Sequence, residues 1–250
     1  MAGCRELVAK LDWASTPLGP IDRWSPALAA TVANLLDTRQ AMLLFWGPEL
    51  IQIYNDSFVP SFGRGKHPTA MGQRAAECWA DAWPVVGAQI EAVMVRGEPA
   101  WFDDALVPIF RNGRMEEVYW TYSYSPAYDS GAIAGTLVIV TEKTQRVLAS
   151  RRLEALAWLG LELASATTRA EVHAALAQLA TRWPNDLPFL IANELMSNIA
   201  PELAVTVMAS VALTRELAEL DLAAPIPNRV WPEPITRAAG CTLGDQHLVF

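Results

Sequence analysis

The sequence predicts an α+β fold, an antiparallel sheet with helices on one face, from three observations. Two apolar runs, at 41–46 (AMLLFW) and 50–54 (LIQIY), are separated by a Gly-Pro-Glu turn. Two further runs, at 117–125 (EVYWTYSYS) and 133–141 (IAGTLVIVT), are joined through an Asp-Ser-Gly turn. The stretch between these two hairpins is helical in pattern and is interrupted by Pro and Gly. Two hairpins around a helical middle therefore predict a small α+β domain.

Composition sets limits on the class of protein. The chain has 250 residues, of which 52% are hydrophobic and 18% charged, which indicates one large or two small packed domains. A net charge of −8 without a basic cluster gives no reason to expect a nucleic-acid partner. The three cysteines are far apart and form no CxxC pair, which favours reduced thiols in a cytoplasmic protein. Charges near the N-terminus exclude a signal-peptide core, and no apolar run predicts a membrane span.

The N-terminal part predicts two helices. Residues 6–11 form one or two turns, and a longer helix begins at Ser25-Pro26, because Ser is a good N-cap and Pro fits the first helical position. Apolar residues at helical spacing carry this second helix to Asp37.

The middle of the chain predicts two helices and a strand. The helices cover 74–83 and 85–95, with Pro84 between them. The strand covers 99–108 and is expected to be irregular or at a sheet edge, because Asp103-Asp104 interrupts it. Residues 111–114 predict a hairpin turn.

The strand at 117–125 has two different faces. Val118, Trp120, Tyr122 and Tyr124 share one face, and the intervening residues, from Tyr119 onward, share the other. We expect one face to border a pocket and the other to contact a helix or a partner subunit.

The pattern changes to helix at Glu142 and continues to about residue 165. A capping box at 168–171 starts the next helix. Two strands are then predicted, at 186–194 and 203–213, around a Ser197-Asn198 turn.

Five segments in this order resemble the PAS domains of bacterial sensor histidine kinases: WASTPLGPIDRWSPAL, FWGPELIQIYNDSF, GKHPTAMGQ, YWTYSYSPAYD and VTEKTQRVLASRRL. The resemblance covers residues 12–153. It implies a five-stranded antiparallel sheet with flanking helices, a pocket between sheet and helices, a homodimer, and output through a C-terminal helix to a downstream signalling domain.

The last part of the chain resembles the opening of a GAF domain. A complete GAF domain is usually longer, so this resemblance implies that the chain is a fragment. The expected domains are an N-terminal helical cap (1–37), a PAS-like sensor domain (38–144), a signalling helix (145–165) and a partial, GAF-like α+β segment (166–250).

The resemblance also implies site residues. By analogy with the place where PAS domains bind ligands, a small apolar or aromatic molecule would contact Tyr54, Asn55, Trp79, Trp83, Trp101 and Tyr119. The ten tryptophans are equally compatible with a closed, packed core. Glu142 and Thr144 match an Asp-x-Thr motif that couples the last strand to the output helix, although Glu replaces Asp.

Neither haem nor flavin is expected, and the cofactor is unknown. The helix at 85–95 lacks the histidine that ligates haem in PAS proteins, and the neighbours of Cys78 do not match the Asn-Cys-Arg-Phe motif of light-sensing flavoproteins. Cys78 is interpreted as a buried helix residue, with a redox or flavin role as the alternative. None of the histidines has a metal-site spacing, so no metal is predicted.

No convergent catalytic group is predicted. The paired acids at 103–104 and 116–117 point to opposite faces of their strands, and the sequence contains no phosphate-binding loop. Arg64, Lys66 and His67 lie in one Gly-rich loop, which is either an anion site or simply a charged loop. We therefore expect no enzyme activity from this chain alone.

These observations predict a cytoplasmic sensory and signal-transduction module of a sensor histidine kinase in a two-component system. It would detect a small molecule or a partner and pass the signal through its C-terminal helix. The alternative is a dimerisation or scaffolding module with a closed core and no ligand.

Overall fold

The computed structural model describes residues 3–187, 190–192, 195–197, 218–226, 235–243 and 246–249. The chain divides into two units, Met1–Val147 and Leu148–Phe250. Among the described residues, no helix has both the length and the apolar character that a membrane span requires.

The described part of the first unit contains seven strands: β1 (Met42–Trp46), β2 (Ile51–Tyr54), β3 (Ala100–Leu106), β4 (Ile109–Arg111), β5 (Arg114–Glu116), β6 (Tyr119–Asp129) and β7 (Ala132–Glu142). Five of them form an antiparallel sheet in the order β2-β1-β7-β6-β3. A separate two-stranded hairpin, β4–β5, lies between β3 and β6 along the chain.

Helices flank this sheet. They are α1 (Cys4–Lys10), α2 (Pro26–Asp37), α3 (Ala75–Cys78) and α4 (Trp83–Arg96), with short 3₁₀ helices at Trp13–Ser15, Ile21–Arg23 and Asp56–Phe62. The sequence-based prediction of an α+β fold with a five-stranded antiparallel sheet and flanking helices is confirmed, and the sheet order is the one found in PAS domains.

The predicted start of α2 is also confirmed. The Ser25 hydroxyl accepts a 3.1 Å hydrogen bond from the Leu28 amide, and Pro26 occupies the first helical turn. Leu28, Val32 and Leu35 are buried on one side of this helix. The spacing of these three residues is what made the helix predictable.

The helices between β2 and β3 differ from the prediction. Where a helix was expected over 74–83, α3 is a single turn from Ala75 to Cys78. Pro84 does not separate two helices, because it lies in the first turn of α4. Proline is well tolerated there, since the first amides of a helix have no intrahelical acceptor. Gly97 ends α4 with φ +70°, a left-handed conformation that favours glycine.

β3 is an edge strand with an irregularity in its pairing to β6, as the two aspartates predicted. The register shifts between Phe102 and Ala105, and Asp104 has φ +46°. The Asp104 amide and the Asp103 carboxylate both hydrogen-bond the Thr121 hydroxyl on β6, at 3.3 and 2.6 Å. A single β6 side chain therefore stabilises the bulge.

The two faces of the sheet have different surroundings. On the inner face, Trp120, Tyr122 and Tyr124 are buried. On the outer face Trp101 is 68% exposed and Ile139 is 39% exposed. The aromatic row of β6 therefore faces the interior.

α5 (Thr144–Ser165) follows β7 directly, and its first residues belong to the first unit. Several large apolar side chains along α5 are exposed, including Leu153 and Leu156, at 66% and 65%.

Within the residues that the structure describes, the second unit contains most of α5, α6 (Arg169–Arg182) and five strands. The strands are β8 (Leu190–Ala192), β9 (Leu195–Ser197), β10 (Ala218–Ile226), β11 (Ile235–Leu243) and β12 (Gln246–Val249), and they form an antiparallel sheet in the order β10-β11-β12-β8-β9.

The predicted capping box of α6 is confirmed, because the Thr168 hydroxyl and the Glu171 carboxylate each accept a hydrogen bond from the other residue's amide. The strand predictions differ. Ser197 lies in β9, paired with Leu190, and not in a turn. The strand predicted at 203–213 lies outside the described residues.

Candidate ligand pocket and helix junction

An apolar cavity of about 80 Å³ lies between the inner face of the sheet, α4 and the segment before the β4–β5 hairpin. The sheet contributes aliphatic and aromatic side chains from β1, β6 and β7. The lining residues are Leu43, Phe45, Phe58, Trp79, Ala82, Val86, Ile90, Val107, Ile109, Trp120, Tyr122, Tyr124, Val138 and Val140. The surface that they present to the cavity is apolar. Such a cavity suits a small uncharged molecule, because a charged group would be desolvated there without a partner.

Of the six predicted pocket residues, only Trp79 lines this cavity. Trp101 and Tyr119 lie on the opposite face of the sheet from the buried aromatic row of β6, and Trp101 is largely exposed. Trp83 begins α4, where its ring packs over Gly87, which has no room for a side chain. The structure therefore does not bring these six side chains together.

Asn55, another of the six, has a backbone-supporting role. Its Nδ2 donates to the carbonyls of Leu35, Thr38 and Gln40 at 3.1, 2.9 and 2.7 Å. Its Oδ1 accepts from the amides of Met42 and Phe58, both at 3.1 Å. This 1%-exposed side chain ties the end of α2 to the beginning of β1 and to the 3₁₀ helix after β2. All its hydrogen-bonding capacity is used by the main chain.

Tyr54 belongs to an aromatic cluster beside the cavity. Its ring contacts Phe58 and Phe62, and Phe62 stacks on Trp79 with centroids 5.3 Å apart. The Tyr54 hydroxyl lies 3.0 Å from Nδ1 of His67. Burial raises the pKa of Tyr54 far above its ordinary value, so the phenol is neutral at physiological pH.

Trp79, which lines the cavity, is fixed by polar contacts. Its Nε1 donates a 2.9 Å hydrogen bond to Oε1 of the fully buried Gln52, whose Nε2 donates to the Ala70 carbonyl at 2.8 Å. The Lys66 ammonium lies 4.8 Å from the Trp79 ring centroid and 3.5 Å from the Asp81 carboxylate. Of the three basic residues in the Gly-rich loop, Lys66 thus pairs with Asp81 and His67 with Tyr54.

Glu142 and Thr144 meet at the junction of β7 and α5. The Thr144 hydroxyl donates to Oε1 of Glu142 at 2.9 Å and accepts from the Tyr119 amide at 3.1 Å. Arg111, on the β4–β5 hairpin, binds both oxygens of Glu142, at 2.8 and 2.9 Å. These bonds raise the pKa of Arg111. A bidentate arginine–carboxylate pair is among the stronger polar contacts in proteins.

A second contact joins the beginning of α5 to the sheet edge. Arg146 pairs with Oδ2 of Asp104 in the β3 bulge and lowers the pKa of that carboxyl. The other oxygen, Oδ1, is buried and has no hydrogen-bond partner. The first turn of α5 is therefore held by residues of β3, β6 and the hairpin.

The residues present do not fit a flavin, because the cavity is small and presents no polar group to the polar edge of that ring system. Cys78 is buried next to Gln52 and does not line the cavity. Burial raises the pKa of its thiol, which disfavours the reactive thiolate. No group of His, Cys, Asp and Glu residues within the described ranges is arranged to hold a metal ion.

Sequence reasoning did not select the aromatic residues of β6 that line the cavity. The alternation of aromatic and other residues along β6 was visible in the sequence. A period of two residues, however, does not indicate which face of the strand points into the cavity. Gln52 and Arg111 were also missed. A glutamine within the apolar run LIQIY was a usable signal, since a polar residue in a buried strand needs a hydrogen-bond partner.

The fold and the cavity define an α+β domain of PAS-like topology whose last strand continues into a long helix. No protein-family model matches the sequence, and no curated protein matches it. Solved structures of PAS and LOV proteins are partly similar to this chain.

A LOV protein of Rhodobacter sphaeroides is 15% identical, with 72% of this chain and 86% of that chain covered and a TM-score of 0.39. A sensory box sensor histidine kinase of Vibrio cholerae is 12% identical, with 46% and 89% covered and a TM-score of 0.33. An RNA-binding light-oxygen-voltage receptor is 16% identical, with a TM-score of 0.38. The match covers 60% of this chain but only 43% of the receptor. These sequence identities and TM-scores are too low to assign a ligand or an activity to this chain.

Proposed function

We propose that the first unit is a sensory module that binds a small, uncharged, apolar molecule between its sheet and α4. The observation that carries this proposal is the cavity itself, which is lined almost entirely by buried side chains and presents an apolar surface. Its volume of about 80 Å³ compares with roughly 150 Å³ for an apolar cavity that binds benzene or xenon. We therefore expect ligands of benzene size or smaller.

Binding is passed to α5 through the junction at Glu142 and Thr144. Val138 and Val140 line the cavity, and β7 continues without Gly or Pro from Val140 through Glu142 into α5. A ligand that prefers one arrangement of β6 and β7 shifts the population of the corresponding position of the α5 N-terminus. The hydrogen bonds of Thr144 to Tyr119 and Glu142 support this route.

The experiment is a binding series with xenon, benzene and benzoate, followed by NMR of the full chain. Xenon and benzene are expected to shift methyl resonances of cavity residues such as Val138, and benzoate is not. Ala82→Leu, which fills the cavity, should abolish xenon binding. Ala88→Leu, on the exposed side of α4, should leave it unchanged. Xenon binding retained in Ala82→Leu, or tight binding of benzoate, would contradict the proposal.

We further propose, from the sequence resemblance, that the module belongs to a cytoplasmic sensor histidine kinase of a two-component system. In this proposal 1–37 is a cap, 38–144 the sensor, 145–165 a signalling helix and 166–250 a GAF-like segment. The chain alone has no catalytic role. Autophosphorylation by the purified 250-residue chain would contradict this assignment.

The second candidate function is dimerisation without a ligand. It is favoured by the exposed apolar side chains of the outer sheet face, Trp101 and Ile139. If this face pairs two copies, Trp101→Ser should lower the dimer fraction in light scattering at micromolar protein. A monomer mass for the unsubstituted protein at tens of micromolar would rule this function out.

A further inference from the structure

The β4–β5 hairpin closes one end of the apolar cavity. Val107, just before the hairpin, and Ile109, its first residue, line the cavity and are 5% and 2% exposed. The other walls belong to the five-stranded sheet, to α4 and to the aromatic cluster around Phe58. The hairpin is therefore one of the parts of the cavity wall that lie outside the main sheet, beside α4 and the aromatic cluster.

The hairpin's own strands give it little independent stability. β4 and β5 have three residues each and pair with each other, in a sheet separate from the main one. A two-stranded hairpin alone is marginally stable in water. At its base Val107 donates to the Val118 carbonyl at 3.0 Å, while Pro108 has no amide to donate. Its closed position therefore depends on contacts that it makes with other elements.

These contacts are latches at the exposed end of the hairpin. Asn112 Oδ1 accepts a 3.0 Å hydrogen bond from the Arg64 amide, and the Asp81 carboxylate accepts one from the Phe110 amide. Arg111 is bound to Glu142, next to the start of α5. A few side-chain contacts of this kind break more readily than a strand ladder. The Asn112 and Asp81 hydrogen bonds each contribute on the order of 1 kcal/mol, a factor of roughly five, and the bidentate Arg111–Glu142 pair is the strongest of the three.

We propose that the β4–β5 hairpin is the gate of the cavity. It moves about its two connections, at residues 107–108 and 117–118, to admit the ligand, and the three latches hold it closed. This proposal rests on the proposed function, because a gate requires a cavity that is filled and emptied. Opening also separates Arg111 from Glu142, so ligand entry and the α5 junction are mechanically linked.

The test measures xenon exchange by ¹²⁹Xe NMR in the full chain. Asn112→Gly removes one latch while keeping the positive φ of the turn, +56°, accessible. Asp81→Ala removes another. Each variant should raise both the entry and the exit rate about fivefold, because the closed state loses one hydrogen bond between the hairpin and the rest of the unit. The affinity of Asn112→Gly should stay unchanged, because this contact is lost in the free and the bound state alike. Asp81 also pairs with Lys66 beside Trp79, so Asp81→Ala is read by its exchange rates alone.

The matched control is Arg114→Ala on the same hairpin. Arg114 is 69% exposed and contacts Glu116 at 3.4 Å, within the hairpin, so both exchange rates should equal those of the unsubstituted protein. If xenon binds and neither Asn112→Gly nor Asp81→Ala changes its exchange rates, the gate is overturned while the proposed function stands.

Hydrogen exchange tests the gate without a ligand. Amides of β4 and β5 should exchange much faster than those of β6 and β7, and Asn112→Gly should accelerate only the hairpin. Hairpin amides as protected as the main sheet would overturn the gate. Absence of xenon binding would overturn the proposed ligand class, and the exchange data would still decide whether the hairpin opens.

Discussion

The hydroxyl of Thr144 joins the last residue of β7 to the neighbouring strand: it donates to Glu142 at 2.9 Å and accepts from the Tyr119 amide at 3.1 Å. Thr144 is 7% exposed, so no water readily replaces these bonds. The first turn of α5 is therefore positioned by a buried hydrogen bond to β6 and by the bidentate pair of Glu142 with Arg111.

Removal of this hydroxyl should loosen α5 more than it destabilises the domain. Thr144→Ala should lower the free energy of unfolding by about 1–2 kcal/mol, because the Tyr119 amide loses its acceptor. Hydrogen exchange in the first turn of α5 should accelerate. Thr144→Ser keeps the hydroxyl and serves as the control. Equal exchange in the Ala and Ser variants would show that the hydroxyl does not position α5.

Leu156→Ala should have little effect on stability. Its side chain is 65% exposed on α5, so its removal leaves no buried cavity. We expect a change within about 0.5 kcal/mol in urea unfolding, as for surface substitutions. Leu44→Ala, at a fully buried position of β1, should cost about 2–5 kcal/mol. A large loss in Leu156→Ala would show that α5 is covered in solution.

Asn55 should tolerate neither an apolar nor an acidic replacement. Asn55→Leu leaves buried carbonyls and amides without partners, and we expect a loss of about 3–5 kcal/mol. Asn55→Asp is a sharper test, because a carboxylate can accept from Met42 and Phe58 but cannot donate to the three carbonyls. Thermal unfolding close to that of the unsubstituted protein for Asn55→Asp would contradict the assigned hydrogen bonds.

Asp104 should contribute stability that depends on pH. Its pKa is lowered in the folded state, first by the hydrogen bond from Arg146. A lowered folded-state pKa gives stability that is present above the ordinary aspartate pKa of about 3.9 and is lost as the pH falls through the folded-state value. Asp104→Asn, which tolerates the same positive φ, should therefore be less stable at pH 7. Urea midpoints of the two proteins should converge as the pH falls below the ordinary aspartate pKa and through the lowered folded-state pKa of Asp104. A difference that does not shrink on acidification would exclude this ion pair as its cause.

The sequence alone determined the elements whose signals are local. The Ser25 cap, the capping box at Thr168 and the Asn112-Gly113 turn were predictable, because each depends on contacts within a few residues. The order of hairpins and helices likewise predicted the α+β class, since antiparallel pairs joined by short turns leave few alternatives.

Only the tertiary structure decided which residues form the candidate site. A strand period of two residues could not tell whether Tyr119 or Tyr122 faces the cavity, because that depends on which face α4 covers. The sequence also could not indicate that Arg111 binds Glu142. Nor could it indicate that Asn55 donates hydrogen bonds to carbonyls between the end of α2 and the beginning of β1. Such contacts join residues distant in the chain, and they exist only once the sheet order β2-β1-β7-β6-β3 brings their elements together.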